Sequence, residues 1–359
     1  MKKKLTLHIG HHKTGTSSIQ QVLFDNKEAL AADGISYFCQ RPNGKSFPRA
    51  KGWLYRNRKS KQFEFKINPT FAKELGKLNG DVLVSTESFS NIYEEAKLLK
   101  FKKSLDSYFG EYEVICYIRR QDLHAISHHQ QGSKKLGSPA THIYASRPRA
   151  LPQYNDSLQN YLDYNKKLSA WANVFGQDAI SIRIFDKTTL INGDVVTDFL
   201  SCINNKLNFD TLQKNISNSF VETKLGHMLN DKKIKLPKVR QILKANDTSG
   251  KMMPSRKEAI EFYSHFKESN KKLNERFKVT SEEFLFSDDF SSYDEIGRDT
   301  WDEQTANIAI SALLDVLKNK SKRILRLEKA LELASNKPKD KDPAYAENLI
   351  SMRSNKEKL

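Results

Sequence analysis

Leu5-Thr6-Leu7-His8-Ile9-Gly10-His11-His12-Lys13-Thr14-Gly15-Thr16-Ser17-Ser18 begins with an apolar run and ends in a block of hydroxyls, with two glycines separated by four residues between them. The run 5–9 reads as a strand and 10–15 as a tight loop. Residues 16–32 follow as a helix, with Ile19, Val22, Leu23 and Leu30 giving an apolar stripe and Gly34 ending it. A strand delivered into a helix through a glycine-bearing loop leaves backbone N–H groups and the positive end of the helix dipole facing one point. That arrangement is a site for an anion.

Working outward, short β-branched runs alternate with helical patterns. Strands are expected at 35–38, 81–86, 113–118 and 179–185, and helices at 93–109, 121–131 and 157–175. This alternation predicts an α/β fold, a P-loop-like parallel sheet flanked by helices. Two stretches rich in Gly and Pro, 41–66 and 132–152, read as long loops. From about residue 194 the patterns are helical only. They include a helix at 302–334 on which Ile308, Leu313, Leu317, Ile324, Leu327 and Leu331 fall near helical spacing, as a packing helix, a lid or a subunit contact would require. The expected organisation is a core at 1–200, a mostly helical part of the same domain at 201–335, and a charged, disordered tail at 336–359.

The 359 residues suit one large α/β domain or two smaller ones. Only 38% are apolar, yet 20 Phe, 13 Tyr and 3 Trp supply a core. No stretch approaches the roughly 20 apolar residues that span a bilayer, and the run after Met1-Lys2-Lys3-Lys4 is too short and polar for a signal peptide, so a cytoplasmic protein is expected. Peripheral membrane contact stays open. Cys39, Cys116 and Cys202 are odd in number and far apart, which indicates neither a disulfide framework nor a zinc site. The net charge of +17 calls for an anionic partner. Nearly half of it sits at 41–66, where nine basic residues face the single acid Glu64.

A nucleotide-triphosphate loop reads G-x-x-x-x-G-K-[ST]. Here Gly10 and Gly15 keep the gap, but Thr16 stands where the lysine belongs and Lys13 lies inside the loop. No acid has an obvious role of holding magnesium, Glu87 being the closest candidate. A second element is Val114-Ile115-Cys116-Tyr117-Ile118-Arg119-Arg120-Gln121-Asp122-Leu123-His124-Ala125-Ile126-Ser127. In it a buried strand delivers an arginine at its carboxyl end, and a serine follows eight residues later on the next helix. Arg119 offers a forked donor set to a phosphate and Ser127 a hydroxyl. Two phosphate sites imply a bisphosphorylated nucleotide.

Together the Lys13–Ser18 loop and the Arg119/Ser127 pair resemble the cofactor motifs of sulfotransferases that use 3′-phosphoadenosine 5′-phosphosulfate (PAPS). Weaker likeness to bacterial members runs through Leu168–Gly176 and Ile182–Phe185, so the resemblance covers roughly the first 200 residues. His124 and Gln121 replace an arginine and a proline common in eukaryotic members, and the glycine-rich C-terminal motif of cytosolic small-molecule enzymes is absent. Both departures point to the carbohydrate and bacterial branches. The resemblance implies metal-free, in-line transfer of a sulfuryl group to a hydroxyl or amine. Lys13, Thr14, Gly15, Thr16, Ser17 and Ser18 would bind the 5′-phosphosulfate, and Arg119 and Ser127 the 3′-phosphate.

Transfer needs a base for the acceptor proton and a cation for the leaving oxygen. Lys13 suits the second role. Glu87 should emerge at the carboxyl edge of the same sheet and suits the first, as a glutamate does at a similar point in heparan-type sulfotransferases. The alternative for Glu87 is a carboxylate favoured by the following helix dipole. His12, His124, His128 and His142 are rival bases. His124 and His128 also have metal-ligand spacing, but no carboxylate or cysteine completes a set, so no metal is expected. Lys13 and Arg119 each have a plain reading too, as a surface lysine and an ion-pair partner. In 41–66, Phe47, Trp53, Tyr55, Phe63 and Phe65 interleave the charges, a mixture suited to an anionic carbohydrate acceptor, to single-stranded nucleic acid, or to nothing more than solubility. The carbohydrate is the expected partner and nucleic acid is not. A P-loop nucleotide kinase and a non-catalytic polyanion-binding protein are the other classes.

Overall fold

The computed structural model describes residues 3–57, 65–138, 140–203, 218–247 and 249–335. The predicted tail at 336–359 and the middle of the basic segment, 58–64, lie outside the described residues. The strands are β1 (Lys3–His8), β2 (Ile35–Phe38), β3 (Leu54–Arg56), β4 (Phe65–Ile67), β5 (Asp81–Ser85), β6 (Phe109–Ile118) and β7 (Ile180–Ile184). Five form one sheet in the order β2-β5-β1-β6-β7, every neighbouring pair parallel. The chain leaves central β1 toward β2 on one side and returns through β5 before crossing to β6 on the other. The carboxyl end of β1 is therefore the point where an open α/β sheet offers a crevice.

The helices are α1 (Thr16–Asp25), α2 (Lys27–Ala32), α3 (Phe71–Gly76), α4 (Glu95–Leu105), α5 (Gln121–Ser133), α6 (Thr141–Tyr144), α7 (Asp156–Leu162) and α8 (Tyr164–Phe175). After them come α9 (Val195–Cys202), α10 (Phe220–Asp231), α11 (Pro237–Asn246), α12 (Arg256–Ser264), α13 (Lys267–Phe277) and α14 (Glu303–Ser335). Alternation along β6 sorts the layers. Val114, Cys116 and Ile118 join Leu98 and Phe101 of α4 and Leu168 and Trp171 of α8 on one face. Ile115 and Tyr117 join Ile19, Val22 and Leu23 of α1 and Val196 and Phe199 of α9 on the other. Burial on both faces is why β5 and β6 read as near-continuous apolar runs.

Several boundaries depart from expectation. The helix predicted at 16–32 breaks at Asn26, whose side-chain amide donates back to the Val22 carbonyl at 2.9 Å. The helix predicted at 157–175 breaks at Asp163, which leaves helical dihedrals and caps α8 by accepting from the Lys166 amide. The helix predicted at 93–109 is only Glu95–Leu105, and the next strand starts at Phe109 rather than 113. The loop predicted at 132–152 carries α6, with Ala140, Ile143 and Tyr144 buried against Leu158, Tyr161 and Leu162 of α7.

The basic segment is not a plain loop. It contains β3, which pairs antiparallel with β4. Trp53, expected to stack on sugar, is only 2% exposed; it lies against Phe71 at 5.2 Å and donates its indole N–H to the Gln40 carbonyl. Phe47 is occupied by its own cations, with Arg41 at 4.7 Å and Lys51 at 4.3 Å from its ring. In the C-terminal part, α10 and α11 bury Phe220, Val221, Leu225, Val239 and Leu243 against Ala309, Ala312 and Val316 of α14. Tyr263, Leu273, Leu285 and Phe290 join the core beneath the sheet. Among the described residues the stripe predicted over the whole of 302–334 packs only as far as Val316.

Candidate active site

The ladder between β1 and β6 runs straight into the loop. The Ile9 amide reaches the Ile115 carbonyl, the Tyr117 amide reaches the Gly10 carbonyl and the His11 amide reaches the Tyr117 carbonyl, at 2.8–3.0 Å. Gly10, Lys13 and Gly15 all take positive φ. A Cβ on Gly15 would meet Val195 Cγ1 at 2.6 Å, so only glycine lets the loop close over α9. Thr14 is fully buried and turns inward, its hydroxyl donating to the His11 carbonyl at 2.7 Å. Ser18 and Ile19 return their amides to Gly15, which leaves those of Thr16 and Ser17 as orphan donors of α1. The first turn of α1 carries no acid, so nothing in the helix opposes its positive end.

Around this cradle stands a cationic rim. Lys13 is half-buried, and its pKa is lowered to about 8 by burial and by the charges of Lys134 and Arg119. Arg119, at the carboxyl end of β6, lies over the Phe185 ring at 5.7 Å, and burial pulls its pKa down as well. Ser127 is half-buried about two turns into α5. Arg119 opens into a cleft of about 850 Å³ walled by Phe185, Asp186 and the 280–289 segment, which is roomy enough for a nucleotide. Arg120, read from sequence only as a neighbour, builds that wall. Its guanidinium pairs with Asp122 at 2.9 and 3.0 Å and donates to the Ser287 and Asp289 carbonyls, and Asp122 in turn accepts from the Tyr293 hydroxyl at 2.6 Å.

Glu87 follows β5 and opens a short 3₁₀ turn, Glu87–Asn91, instead of capping α4. Its Cα lies 3.3 Å from where a Gly10 Cβ would stand, so the carboxylate is at the loop. Thr16 donates to Oε1 at 2.8 Å, Gln20 approaches Oε2 at 3.4 Å, and the Arg49 guanidinium sits at 3.4 Å. Burial raises its pKa, but Arg49, His12 and the hydrogen bonds outweigh burial and hold it at about 2. Thr16 and Thr14 thus have their hydroxyls engaged within the protein, while Ser17 and Ser18 stay exposed or half-exposed.

Behind the loop lies a cluster that the linear sequence does not show. His11, His12, His124 and His128 gather around Tyr161 and Tyr164. The Tyr161 hydroxyl is 2.7 Å from His12 Nδ1 and 3.3 Å from His128 Nδ1, and the Tyr164 hydroxyl is 3.1 Å from His124 Nδ1. Burial holds all four imidazoles neutral, His12 at about 4 and the others well below their ordinary value. Lys167 is only 4% exposed, with its ammonium 3.3 Å from His11 Nε2, and burial takes its pKa to about 7. His142 is apart from this group, exposed on α6. Among the described residues no three His, Cys, Asp or Glu side chains gather to hold a metal ion.

No family model matches the chain. It is 27% identical over 219 residues to an uncharacterized protein of Archaeoglobus fulgidus; the match covers 58% of this chain and 56% of that one, so the chain spans about half the length of the curated relative it matches. Among solved structures, it is similar to a sulfotransferase from Alicyclobacillus acidocaldarius (TM-score 0.41, 11% identity, 78% of this chain and 98% of that one). It is also similar to mouse sulfotransferase SULT7A1 complexed with PAP (TM-score 0.31, 10% identity, 92% and 89%). At these values the likeness assigns no activity, and the site is read from its own residues. Among the described residues no helix is long and apolar enough to cross a membrane.

The structure brings Lys13, Thr14–Ser18, Arg119 and Glu87 to one edge of the sheet. Arg49, Lys134, Tyr161 and Lys167 join them without any signal in sequence spacing.

Proposed function

We propose that the chain is a sulfotransferase that moves a sulfuryl group from PAPS to a hydroxyl, or less readily an amine, of an anionic carbohydrate. One observation carries the reading. Adjacent parallel strands deliver two cations, Lys13 and Arg119, to one rim beside orphan helix amides, and Arg119 also lines a cleft of nucleotide size. Two separate anion receptors suit a donor with a 5′-phosphosulfate and a 3′-phosphate. In this reading the acceptor oxygen attacks sulfur in line, the bond from sulfur to the 5′-phosphate oxygen breaks, and Lys13 balances the charge left on that oxygen. Glu87 takes the acceptor proton. With its pKa at about 2 it does so late, once formation of the new S–O bond has made the attacking hydroxyl strongly acidic. His12, beside Glu87, is the second candidate.

The acceptor class is supported by where the remaining cations lie. Lys51 of the basic segment feels the charge of Lys135, and Lys13 that of Lys134. From Lys134 two adjoining cavities of about 580 and 360 Å³ share Arg240 and reach Lys244, Lys251 and Lys235. Among the described residues both cavities are lined by cations and no aromatic ring, so an acceptor there would be held through its negative charge. Calorimetric titration with 3′-phosphoadenosine 5′-phosphate, against ADP and ATP and with or without magnesium, tests the donor site. Metal-independent preference for the bisphosphate is expected, weakened roughly 10–100-fold by Arg119→Ala. Magnesium-dependent preference for ATP would replace the reading with a kinase, and no nucleotide binding would leave a polyanion-binding protein.

A further inference from the structure

The last described helix carries more apolar surface than the described residues cover. α14 runs 33 residues, about 50 Å at 1.5 Å per residue. Its inner face ends early: Ala309, Ala312 and Val316 are buried, and continuing that face brings Asn319, Lys320 and Arg323, which are exposed. A second stripe then takes over. Leu317 (56%), Ile324 (55%), Leu327 (56%) and Leu331 (45%) are all exposed, as is Ile310 earlier on the same line.

The spacing of that stripe is seven, not eleven. Ile310, Leu317, Ile324 and Leu331 recur every seventh residue, and Leu313, Lys320, Leu327 and Ala334 fall three residues after each. These are the a and d positions of a heptad, the period at which two helices keep one seam together by supercoiling. Arg323 then occupies g and Glu328 e. Both are exposed, and neither is in an ion pair with its own chain among the described residues. In a parallel pair, g of one helix faces e of the other five residues on, so Arg323 meets Glu328 of the second copy twice by symmetry. In an antiparallel pair each would meet its own kind.

We propose that the outer half of α14 forms a parallel two-stranded coiled coil with a second copy of this chain. An anionic lipid surface is the rival occupant, because Lys318, Lys322, Arg326 and Lys329 cover the opposite face. Glu328 decides between them. It lies on the flank of the apolar stripe, between Ile324 and Leu331, where a lipid surface would bury an unpaired carboxylate and a second copy supplies an arginine. Packing of the first turns on α10 and α11 holds the helix already formed, which removes the cost of nucleating a short coil. Lys320 at d weakens the seam and keeps the association modest.

Light scattering and sedimentation of the full chain across a concentration series test this. A dimer is expected, and Leu317→Asp with Ile324→Asp should give a monomer with unchanged far-ultraviolet circular dichroism. Glu328→Arg should raise the dimer dissociation constant roughly three- to tenfold, Arg323→Glu added to it should restore the wild-type value, and Lys320→Leu should tighten the dimer. A monomer at every concentration, or a dimer indifferent to Leu317→Asp with Ile324→Asp, overturns the proposal. So does a monomer that cosediments with phosphatidylserine vesicles through the same two residues.

Discussion

The rim and the cluster on either side of the loop between β1 and α1 hold basic residues in opposite states. Lys13, Arg119 and Lys134 stand at the mouth, where solvent or an anion meets their charge, and Lys13 keeps its proton to about pH 8. His11, His12, His124, His128 and Lys167 lie a few ångströms behind, where tyrosine hydroxyls meet the Nδ1 atoms of His12 and His124, burial keeps the imidazoles neutral and the Lys167 pKa falls to about 7. Positive charge is kept only where something can neutralise it. The histidines of the cluster are therefore a neutral bed beneath the loop, and in the proposed reading the rim is the part that binds.

Glu87 is the seam between the two, bonded to Thr16 and Arg49 and within electrostatic reach of His12, so it gives the largest test. Glu87→Gln should leave nucleotide affinity intact and lower turnover roughly 10²–10⁴-fold; a near-normal rate would move the proton to the cluster, with His12 next. Removing the rim's own charge comes second. Lys13→Ala should cost roughly 10²–10³ in kcat. In the wild type kcat/KM should fall as pH rises through about 8, because the depressed Lys13 pKa means the cation is lost there. An alkaline limb unmoved by Lys13→Arg would break the assignment.

The cluster predicts a stability effect of opposite sign. Lys167 has a lowered folded pKa, so the unfolded chain binds the extra proton and stability rises with pH between about 7 and the ordinary lysine value. Lys167→Met should accordingly flatten a gain of about 2–3 kcal/mol between about pH 6 and pH 9, read from urea unfolding at each pH. A slope shared by the variant would mean that Lys167 is not titrating in the folded protein. The smallest effect belongs to Ser127. Ser127→Ala should weaken bisphosphate binding only about fivefold, the worth of one hydrogen bond, and no change would confine the 3′-phosphate to Arg119.

Much of the sheet was legible in the chain: β5, buried along most of its length, is written as an unbroken apolar run, and the edge strands β2 and β7 as short runs of isoleucine and aromatics, so that β2 is found where predicted and β5 and β7 within one residue at each end. That the loop residues and Arg119 meet at one edge of the sheet was legible for a related reason, since the carboxyl ends of parallel strands lie together; their binding roles belong to the proposed reading. The helix breaks at Asn26 and Asp163 were not, because each depends on a side chain bonding its own backbone in competition with the helix. Trp53 was misplaced because composition says that aromatics and cations alternate, and not which of them face the core.

What the sequence by itself determined is the order of strands and helices and the chemistry presented at each strand's carboxyl end, since both follow from local periodicity and residue type. What only the tertiary structure decided is the state of those groups. Thr16 is bound to Glu87, Glu87 is held ionised by Arg49, four histidines from two segments are neutral together, and the described residues leave α14 half covered and half bare. Each of these depends on burial and on partners tens to hundreds of residues away, and no local pattern encodes the desolvation that sets a charge or the neighbour that leaves a face open.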